Sequence, residues 1–432
     1  MEHGMKPDHD IPADTQKIIK VVGVGGGGGN AVTHMYRQGI HDVSFVLCNT
    51  DEQAMKHSDV PLKICLGRTI TRGLGAGNRP ERAMAAAKES EGEIRDMFCD
   101  GTQMAFITAG MGGGTGTGAA PVIAKIAKEM DILTVGIVTI PFVFEGRPKI
   151  LQALAGVEEM NRGVDALLVV NNERLYDIYK DLTIRDAFAK ADDTLAIAAK
   201  SIAEIITLPG IINLDFADVR TTMKDGGVAL MSNGYGEGEG RLEKAIADAF
   251  KSPLLNNSNI FNARKILFNI SSGRDEEVSV DEMTYMTEFM SRFGEDIEVI
   301  WGVAIDDSLE RKIKFTVLAT GFNLADDAPD DVVPPDDGRE RTEEEILRYQ
   351  EYLIWKYYGD LLAARRPEPD VALLTFDEMK NESIVKIMED NPAYSRNPSL
   401  LENERSRLAL ETRRRQGDSP QPEGGQQTIS NF

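Results

Sequence analysis

GMGGGTGTG, at positions 110–118, is a glycine run between a strand-like segment and a helix-like segment. The apolar run MAFITAG (104–110) precedes it, and APVIAKIAKEM (120–130), with apolar residues at helical spacing, follows it. Glycines leave backbone N–H groups bare, and the N-terminus of a helix adds further N–H groups and a favourable dipole. The hydroxyls of Thr115 and Thr117 are additional donors. The run therefore predicts a phosphate-binding loop.

A second glycine run, GVGGGGGN at 23–30, follows the first apolar strand pattern, IIKVVGVG. Gly23, Gly25 and Gly28 satisfy the spacing G-x-G-x-x-G, so a Rossmann dinucleotide site, and with it a dinucleotide-dependent oxidoreductase, is one interpretation. Such a site needs only one loop, whereas two loops can hold the three phosphates of a nucleoside triphosphate. The sequence contains no Gly-Lys pair, which excludes the usual P-loop lysine.

Around these loops, short β-branched runs alternate with helical patterns, which is typical of a parallel sheet with crossover helices. Helices are expected at 30–38, 79–97, 120–130 and 150–161, between apolar strands. The pattern predicts a doubly wound α/β domain over residues 18–182.

A long helix is predicted to leave this domain. Apolar residues recur at helical spacing from Thr183 to Ile206, and the segment contains neither Gly nor Pro. Pro209 and Gly210 end the pattern. We therefore expect a connecting helix at 183–208 and a second, smaller α+β domain at 209–322.

The C-terminal part changes composition. Residues 323–341 carry three Asp pairs and three prolines, a composition that predicts a linker. Thr342 and Glu345 then form a capping-box pattern ahead of a helix of about twenty residues, with Ile346, Tyr349, Leu353, Tyr357, Leu361 and Ala364 on one face. The remainder is predicted to be a largely disordered tail, as are residues 1–17 at the other end.

Composition limits the classes of partner. The chain has 432 residues and a net charge of −22, which argues against nucleic acid or an anionic membrane as the main ligand. Its most apolar stretch, 132–144, falls short of the ~18 residues of a membrane span, and no signal peptide is evident. Cys48, Cys65 and Cys99 lack metal-ligand spacing and are expected to be reduced core thiols in a cytoplasmic protein.

The motifs together resemble the tubulin/FtsZ superfamily, whose phosphate-loop motif is G-G-G-T-G-T-G. The resemblance runs from about residue 17 to residue 322 through VVGVGGGGGNAV, LCNTDEQAM, TRGLGAG, PFVFEGR, DAFAKADD, INLDFADVRT and VLATGF. It implies binding of GTP and GDP with Mg²⁺, while the metal ligands stay unknown. The implied nucleotide contacts are Gly25, Gly26, Gly27, Gly28, Gly29, Asn30, Gly112, Gly113, Gly114, Thr115, Gly116, Thr117, Glu145, Lys149, Asn172, Phe188 and Asp192.

The resemblance places Glu145 and Asn172 near the ribose and Phe188 against the guanine face. Asp192 is implied at the base edge, where a carboxylate can accept from both the N1–H and the exocyclic amine of guanine. Adenine lacks this pair of donors, so Asp192 gives a physical reason for GTP over ATP.

Asn213, Asp215 and Asp218, in NLDFAD, resemble the family's catalytic loop, which acts on the nucleotide of the next subunit. Two carboxylates in one turn can orient an attacking water. Without the resemblance, Asp215 reads equally as a helix N-cap and Asp218 as a first-turn acid.

The implied function is a polymerising GTPase that assembles with copies of itself into the bacterial division ring, and the implied location is the cytoplasm at the division site. Arg79 and Lys149 depart from the usual family pattern, which leaves open a tubulin-like regulator that binds GTP without turnover. Residues 389–396 (EDNPAYSR) are similar to the family's C-terminal peptide for membrane-linked adaptors, and the basic run 413–415 is a competing anchor.

Overall fold

A computed structural model of the chain describes residues 17–40, 42–178, 183–251, 260–294, 296–322, 332, 342–359, 381–390, 404 and 407. The described residues up to Gly359 form one compact unit and those after it a second. All of the predicted linker except residue 332, most of the adaptor peptide and the basic run lie outside the described residues.

One sheet of eleven strands organises the first unit, in the order β3-β2-β1-β4-β5-β6-β8-β11-β9-β10-β7. The strands are β1 Ile19–Val24, β2 Val43–Asn49, β3 Leu62–Cys65, β4 Met104–Gly110, β5 Leu133–Ile140, β6 Ala166–Asn171, β7 Gly210–Ile212, β8 Gly227–Glu237, β9 Lys265–Ser272, β10 Glu298–Ile305 and β11 Lys312–Phe322.

Most helices lie between these strands along the chain, as the predicted doubly wound α/β fold requires, and the last two follow the final strand. They are α1 Gly25–Arg37, α2 Glu52–Lys56, α3 Arg68–Thr71, α4 Pro80–Glu89, α5 Glu91–Met97, α6 Thr115–Glu129, α7 Arg147–Gly163, α8 Asn172–Ile178, α9 Ile184–Thr207, α10 Phe216–Met223, α11 Arg241–Ala249, α12 Thr284–Met290, α13 Glu343–Tyr358 and, in the second unit, α14 Glu382–Asp390.

In the parallel half of the sheet, strands β1, β4, β5 and β6 are buried on both faces, whereas the edge strand β3 begins with two exposed residues. In β1, all six residues are buried, and neighbouring β2 and β4 pair with it in parallel register from Ile19 onward. Val21, Met35 and Ile202 meet in one core between the sheet and helices α1 and α9. Because parallel strands all point the same way, their carboxyl ends and the loops that follow lie at one edge.

The second half of the sheet continues from the first rather than forming a separate sheet. The junction is narrow, since β6 pairs with β8 only at Ala166 with Gly227 and Leu167 with Val228. Beyond it, β8 and β11 are antiparallel, and a second apolar core gathers around Phe268. The predicted domain boundaries at 182/183, 208/209 and 322/323 stay predictions.

Several predicted helix bounds are wrong, and tertiary contacts explain each one. Helix α1 begins at Gly25, not at residue 30, and α6 begins at Thr115, not at residue 120. The glycines of both runs are held in helical turns by packing against neighbouring strands, which overrides their low helix propensity. The helix predicted at 79–97 is two helices that meet at Ser90, whose hydroxyl accepts the Gly67 N–H.

Helices α9 and α13 begin where they were predicted to begin. Thr183 caps α9 through Asp186 N–H, and α9 continues to Thr207. Thr342 and Glu345 form the predicted capping box of α13. This helix is shorter than expected, because it ends at Tyr358, before a glycine with positive φ.

The three cysteines are free, but only two of them are in the core. Cys48 and Cys65 are buried, whereas Cys99 is exposed. The prediction of three core thiols is therefore wrong for Cys99, which follows the C-terminus of α5 and has its Sγ within hydrogen-bonding distance of the Arg95 carbonyl.

Candidate functional site

Two helix N-termini without side-chain caps lie at the carboxyl ends of adjacent strands. Helix α1 follows β1 and α6 follows β4, and these strands pair in parallel. Neither Val24 nor Gly114, the N-cap residues, provides a side-chain acceptor, and neither helix has an acidic residue in its first turn. The N–H groups of both first turns therefore lack the usual caps, and together with the two dipoles they form an anion site.

The two glycine loops touch each other through backbone atoms. Gly25 has φ +73°, and a Cβ there would lie 2.9 Å from Gly116 N. A Cβ at Gly28 would overlap the Thr108 carbonyl. These glycines are therefore required for close packing of α1 and α6 on the sheet.

Other glycines of the same loops face open space. A Cβ added at Gly26, Gly29 or Gly113 would have no neighbour within 4 Å. Their missing side chains leave a space beside both helix N-termini that fits the phosphates of a nucleotide. Because these three glycines belong to the predicted set, the structure brings the core of that set together.

The loop hydroxyls support the loops themselves. Thr117 Oγ1 accepts the Gly112 N–H at 2.9 Å, where Gly112 turns with φ +95°. Thr115 Oγ1 lies 2.7 Å from Thr50 Oγ1, and Thr50 O accepts the Gly75 N–H. Thr50 was not among the predicted site residues; it connects the glycine loop 110–118 to the loop after β2.

Gln152, on α7, orients the glycine loop 110–118. Its Nε2 donates to the carbonyls of Gly112 at 3.0 Å and Gly113 at 3.1 Å. In a trans peptide the carbonyl and the following N–H point in opposite directions. The N–H groups of Gly113 and Gly114 therefore point away from Gln152. Gln152 was not predicted from the sequence, because α7 comes beside the loop 110–118 only in the folded chain.

Gly114 packs against a third loop rather than against open space. A Cβ there would lie 2.9 Å from Arg79 N and 3.0 Å from Ala76 Cβ. Arg79, the residue that departs from the family pattern, is the N-cap of α4 and therefore contributes its backbone to this wall. A branched side chain at Gly114 would displace this loop before it met any phosphate.

The predicted base contacts lie near the start of α9. Phe188 is 42% exposed, and its ring meets Phe142 edge-on at 5.2 Å, so one face stays available. Burial, with a smaller contribution from neighbouring Asp193, raises the pKa of Asp192 to about 7. Asp193 itself pairs with His34 on α1 at 2.6 Å. A carboxyl that is costly to ionise is stabilised by the two donors that guanine offers.

Of the two predicted ribose contacts, Glu145 is already paired with protein groups, whereas the side-chain oxygen of Asn172 is not. Glu145 Oε1 accepts the Phe142 N–H at 2.9 Å, and its Oε2 pairs with Lys149 Nζ at 2.5 Å. Lys149 therefore neutralises Glu145, an interaction that the sequence did not indicate. Asn172 is buried, and its Oδ1, which is itself shielded from solvent, accepts no hydrogen bond within the described part of the chain.

Asp215 and Asp218 form the capping box of α10. Asp215 Oδ1 accepts the Asp218 N–H, and Asp218 Oδ2 accepts the Asp215 N–H, both at 2.9 Å. Asn213 Oδ1 accepts the Gly210 N–H at 2.7 Å. Both aspartates are at least partly exposed. Each uses one oxygen for the cap and presents the other outward, so the capping and catalytic interpretations are compatible.

The structure does not bring this acidic loop to the glycine loops. Helix α9 starts near Phe142 at the nucleotide edge and has 24 residues, which span about 36 Å at 1.5 Å per residue. Asn213, Asp215 and Asp218 follow its far end. Within the described residues, no group of three or more His, Cys, Asp or Glu side chains is placed to hold a metal ion.

Comparison with protein families identifies two matching regions. Residues 18–180 match the GTPase domain of the Tubulin/FtsZ family, and residues 227–323 match the FtsZ family C-terminal domain. The first region contains both glycine loops, and the second contains the sheet from β8 to β11.

Individual relatives agree with these matches. The chain is 53% identical over 407 residues to the cell division protein FtsZ of Porphyromonas gingivalis, covering 91% of this chain and 89% of that protein. It is 43% identical to the FtsZ of Wigglesworthia glossinidia brevipalpis, covering 74% and 83%. An empty FtsZ dimer from M. jannaschii has a TM-score of 0.65 at 39% identity, covering 72% of this chain and 89% of that one. No helix among the described residues is long and apolar enough to span a membrane.

Proposed function

The chain belongs to the tubulin/FtsZ family, as a filament-forming GTPase of cell division, and we propose that GTP held by the glycine loops of one subunit is hydrolysed by the acidic loop of the next. The proposal is supported by the length of α9, which spans about 36 Å, with the predicted base contacts near its start and the acidic loop after its far end. One chain therefore holds both halves of the site at opposite edges, and two chains are needed to join them.

The glycine-loop edge supplies binding. The N–H groups of both first turns and of Gly113 and Gly114 hold the phosphates, and Phe188 and Asp192 hold the base. Mg²⁺ accompanies the nucleotide, since this ion keeps most of its shell as water and phosphate oxygens and needs few protein ligands. When bound, it neutralises charge on the phosphates.

The acidic edge supplies hydrolysis. The outward oxygens of Asp215 and Asp218 accept hydrogen bonds from a water and orient it toward the γ-phosphate of the neighbouring subunit. As the water oxygen bonds to phosphorus and the bond to the GDP oxygen breaks, one of the carboxylates takes one proton of the water. Asn213 supports this loop through Gly210. Loss of the γ-phosphate removes contacts across the boundary, so hydrolysis weakens it.

A head-to-tail contact between unlike edges leaves a free edge at each end, and repeating it produces an open filament. The filament acts in the cytoplasm at the division site. Residues 389–396 dock a membrane-linked adaptor. Of this peptide the structure describes Glu389 and Asp390, the last two residues of α14.

The test is a mixing experiment with two inactive chains. Asp218→Asn retains nucleotide binding but lacks the acidic function, and Gly113→Val retains the acidic loop but lacks nucleotide. At a mixed boundary, GTP on the first chain meets the intact acidic loop of the second, so hydrolysis should return to a substantial fraction of the unsubstituted rate. If the mixture forms filaments and remains as inactive as either chain alone, one subunit supplies both functions and the proposal is wrong.

A further inference from the structure

Helix α13, which follows the acidic segment 323–341, packs on the nucleotide-binding half of the molecule. It contacts α7, and Glu351 pairs with Arg147 at the start of α7 at 3.8 Å. The side chains that it buries are Tyr349, Tyr352, Leu353, Ile354, Tyr357 and Tyr358. So wide an apolar face is typical of a helix that belongs to the folded unit.

The C-terminal end of α13 holds the loop after β5. Tyr358 is fully buried, and its hydroxyl donates to the Pro141 carbonyl at 2.7 Å. Burial raises the pKa of Tyr358, so the hydroxyl stays protonated and remains a donor. Pro141 precedes Phe142, whose ring contacts Phe188, and the same loop ends at Glu145.

The same end of α13 holds the carboxyl end of β6. Asn171 Nδ2 donates to the Tyr357 carbonyl at 2.6 Å, and Asn171 Oδ1 accepts the Glu173 N–H at 2.9 Å. Asn172, whose buried Oδ1 accepts no hydrogen bond among the described residues, lies between Asn171 and Glu173 in the chain. The last turn of α13 is thus bonded to the two segments that carry the predicted ribose contacts, and Phe142 connects one of these segments to Phe188 on α9.

We propose that Tyr358 and Asn171 are positioning residues of the nucleotide site, and that α13 holds the base and ribose side in its binding geometry. This inference rests on the proposed placement of GTP between the glycine loops. Because coupling is reciprocal, bound nucleotide also stabilises the docking of α13. The docking of α13, which follows the linker, therefore depends on whether nucleotide is bound.

The variant Tyr358→Phe tests the proposal, since it removes one hydroxyl and no packing volume. The Kd for a fluorescent GDP should rise about fivefold, the effect of one net hydrogen bond, and KM for GTP should rise in parallel while kcat stays unchanged. The control is Tyr349→Phe, which removes a hydroxyl from another buried tyrosine of the same helix, about 13 Å earlier along its axis. It should leave Kd unchanged.

A second measurement covers the case in which Tyr358→Phe is poorly folded. In the unsubstituted full chain, hydrogen exchange at the amides of the last turn of α13 should slow when GDP is added. Equal exchange with and without GDP, or equal Kd values for the two Phe variants, would overturn the positioning role. If instead Gly113→Val binds GDP normally, the proposed nucleotide site is wrong, whatever Tyr358 does.

Discussion

The N-termini of α1 and α6 and the N-terminus of α10 solve the same problem in opposite ways. Helix α1 begins with Gly25, α6 begins at Thr115 after the N-cap Gly114, and neither has a side-chain cap, whereas α10 has a capping box formed by Asp215 and Asp218. Uncapped N–H groups attract an anion from outside the chain. The capped terminus has already satisfied its N–H groups with carboxylates and presents the remaining oxygens outward. The glycine-loop end of the subunit is therefore suited to bind an anion, and the α10 end presents carboxylates.

The largest expected effect is at the capped end. Asp215→Asn and Asp218→Asn should keep the cap, because an amide oxygen accepts the same N–H groups. GTP hydrolysis should fall by ~10²–10⁴, the range of a lost general base, while GDP affinity and melting temperature change little. A steady-state phosphate assay with parallel thermal melts measures both. If thermal stability falls strongly while GTP turnover is unchanged, this loop acts only as a helix cap.

At the uncapped end, Gly113→Val should weaken GTP and GDP binding by at least about 100-fold, because the new side chain enters the space for phosphate. Gly92→Val is the matched control, since Gly92 also faces open space but lies in exposed α5. Calorimetric titration with GDP compares the two. Equal affinity would show that the phosphates lie elsewhere.

Gln152→Leu should loosen the glycine loop 110–118 at the uncapped end, without placing a side chain in the space for phosphate. Two glycine carbonyls lose their donor, and we expect Kd to rise about tenfold for GTP and GDP alike. Gln103→Leu, at the exposed start of β4, is the control. A rise for GTP alone would instead place Gln152 at the γ-phosphate.

The smallest effect concerns pH at the base side. The pKa of Asp192 is raised from near 4 to about 7 in the folded chain, so the folded chain binds this proton more tightly than the unfolded chain. The free energy of unfolding contributed by this group therefore falls as pH rises from 4 to 7. Guanine requires the carboxylate, so GDP affinity should rise several-fold from pH 6 to pH 8.

Asp192→Asn is the reference for that measurement, because His34 and Asp193 form a nearby pair that is also sensitive to pH. The Asn variant should be more stable than the unsubstituted chain at pH 8 and should lose preference for GTP over ATP. If its pH profile for binding matches that of the unsubstituted chain, another group governs the dependence.

The sequence was sufficient where one short segment carries its own signal. The two glycine runs, the start of α9 and the capping box of α13 all depend on neighbours in the chain, and each was predicted. Gln152, Thr50 and Asn171 were not, since their partners lie far away in sequence and meet only in the fold. The Glu145–Lys149 pair was missed for a different reason, because both residues were assigned to nucleotide by resemblance.

The capping box of α10 also bears on how fast subunits associate. A loop that became ordered only on contact would lose conformational entropy during the encounter, and association would slow. Here Asp215 and Asp218 hold each other's N–H groups before any neighbour arrives. The turn from Asp215 to Asp218 is therefore already formed in the single subunit, and in the proposed filament this segment would not need to order during association.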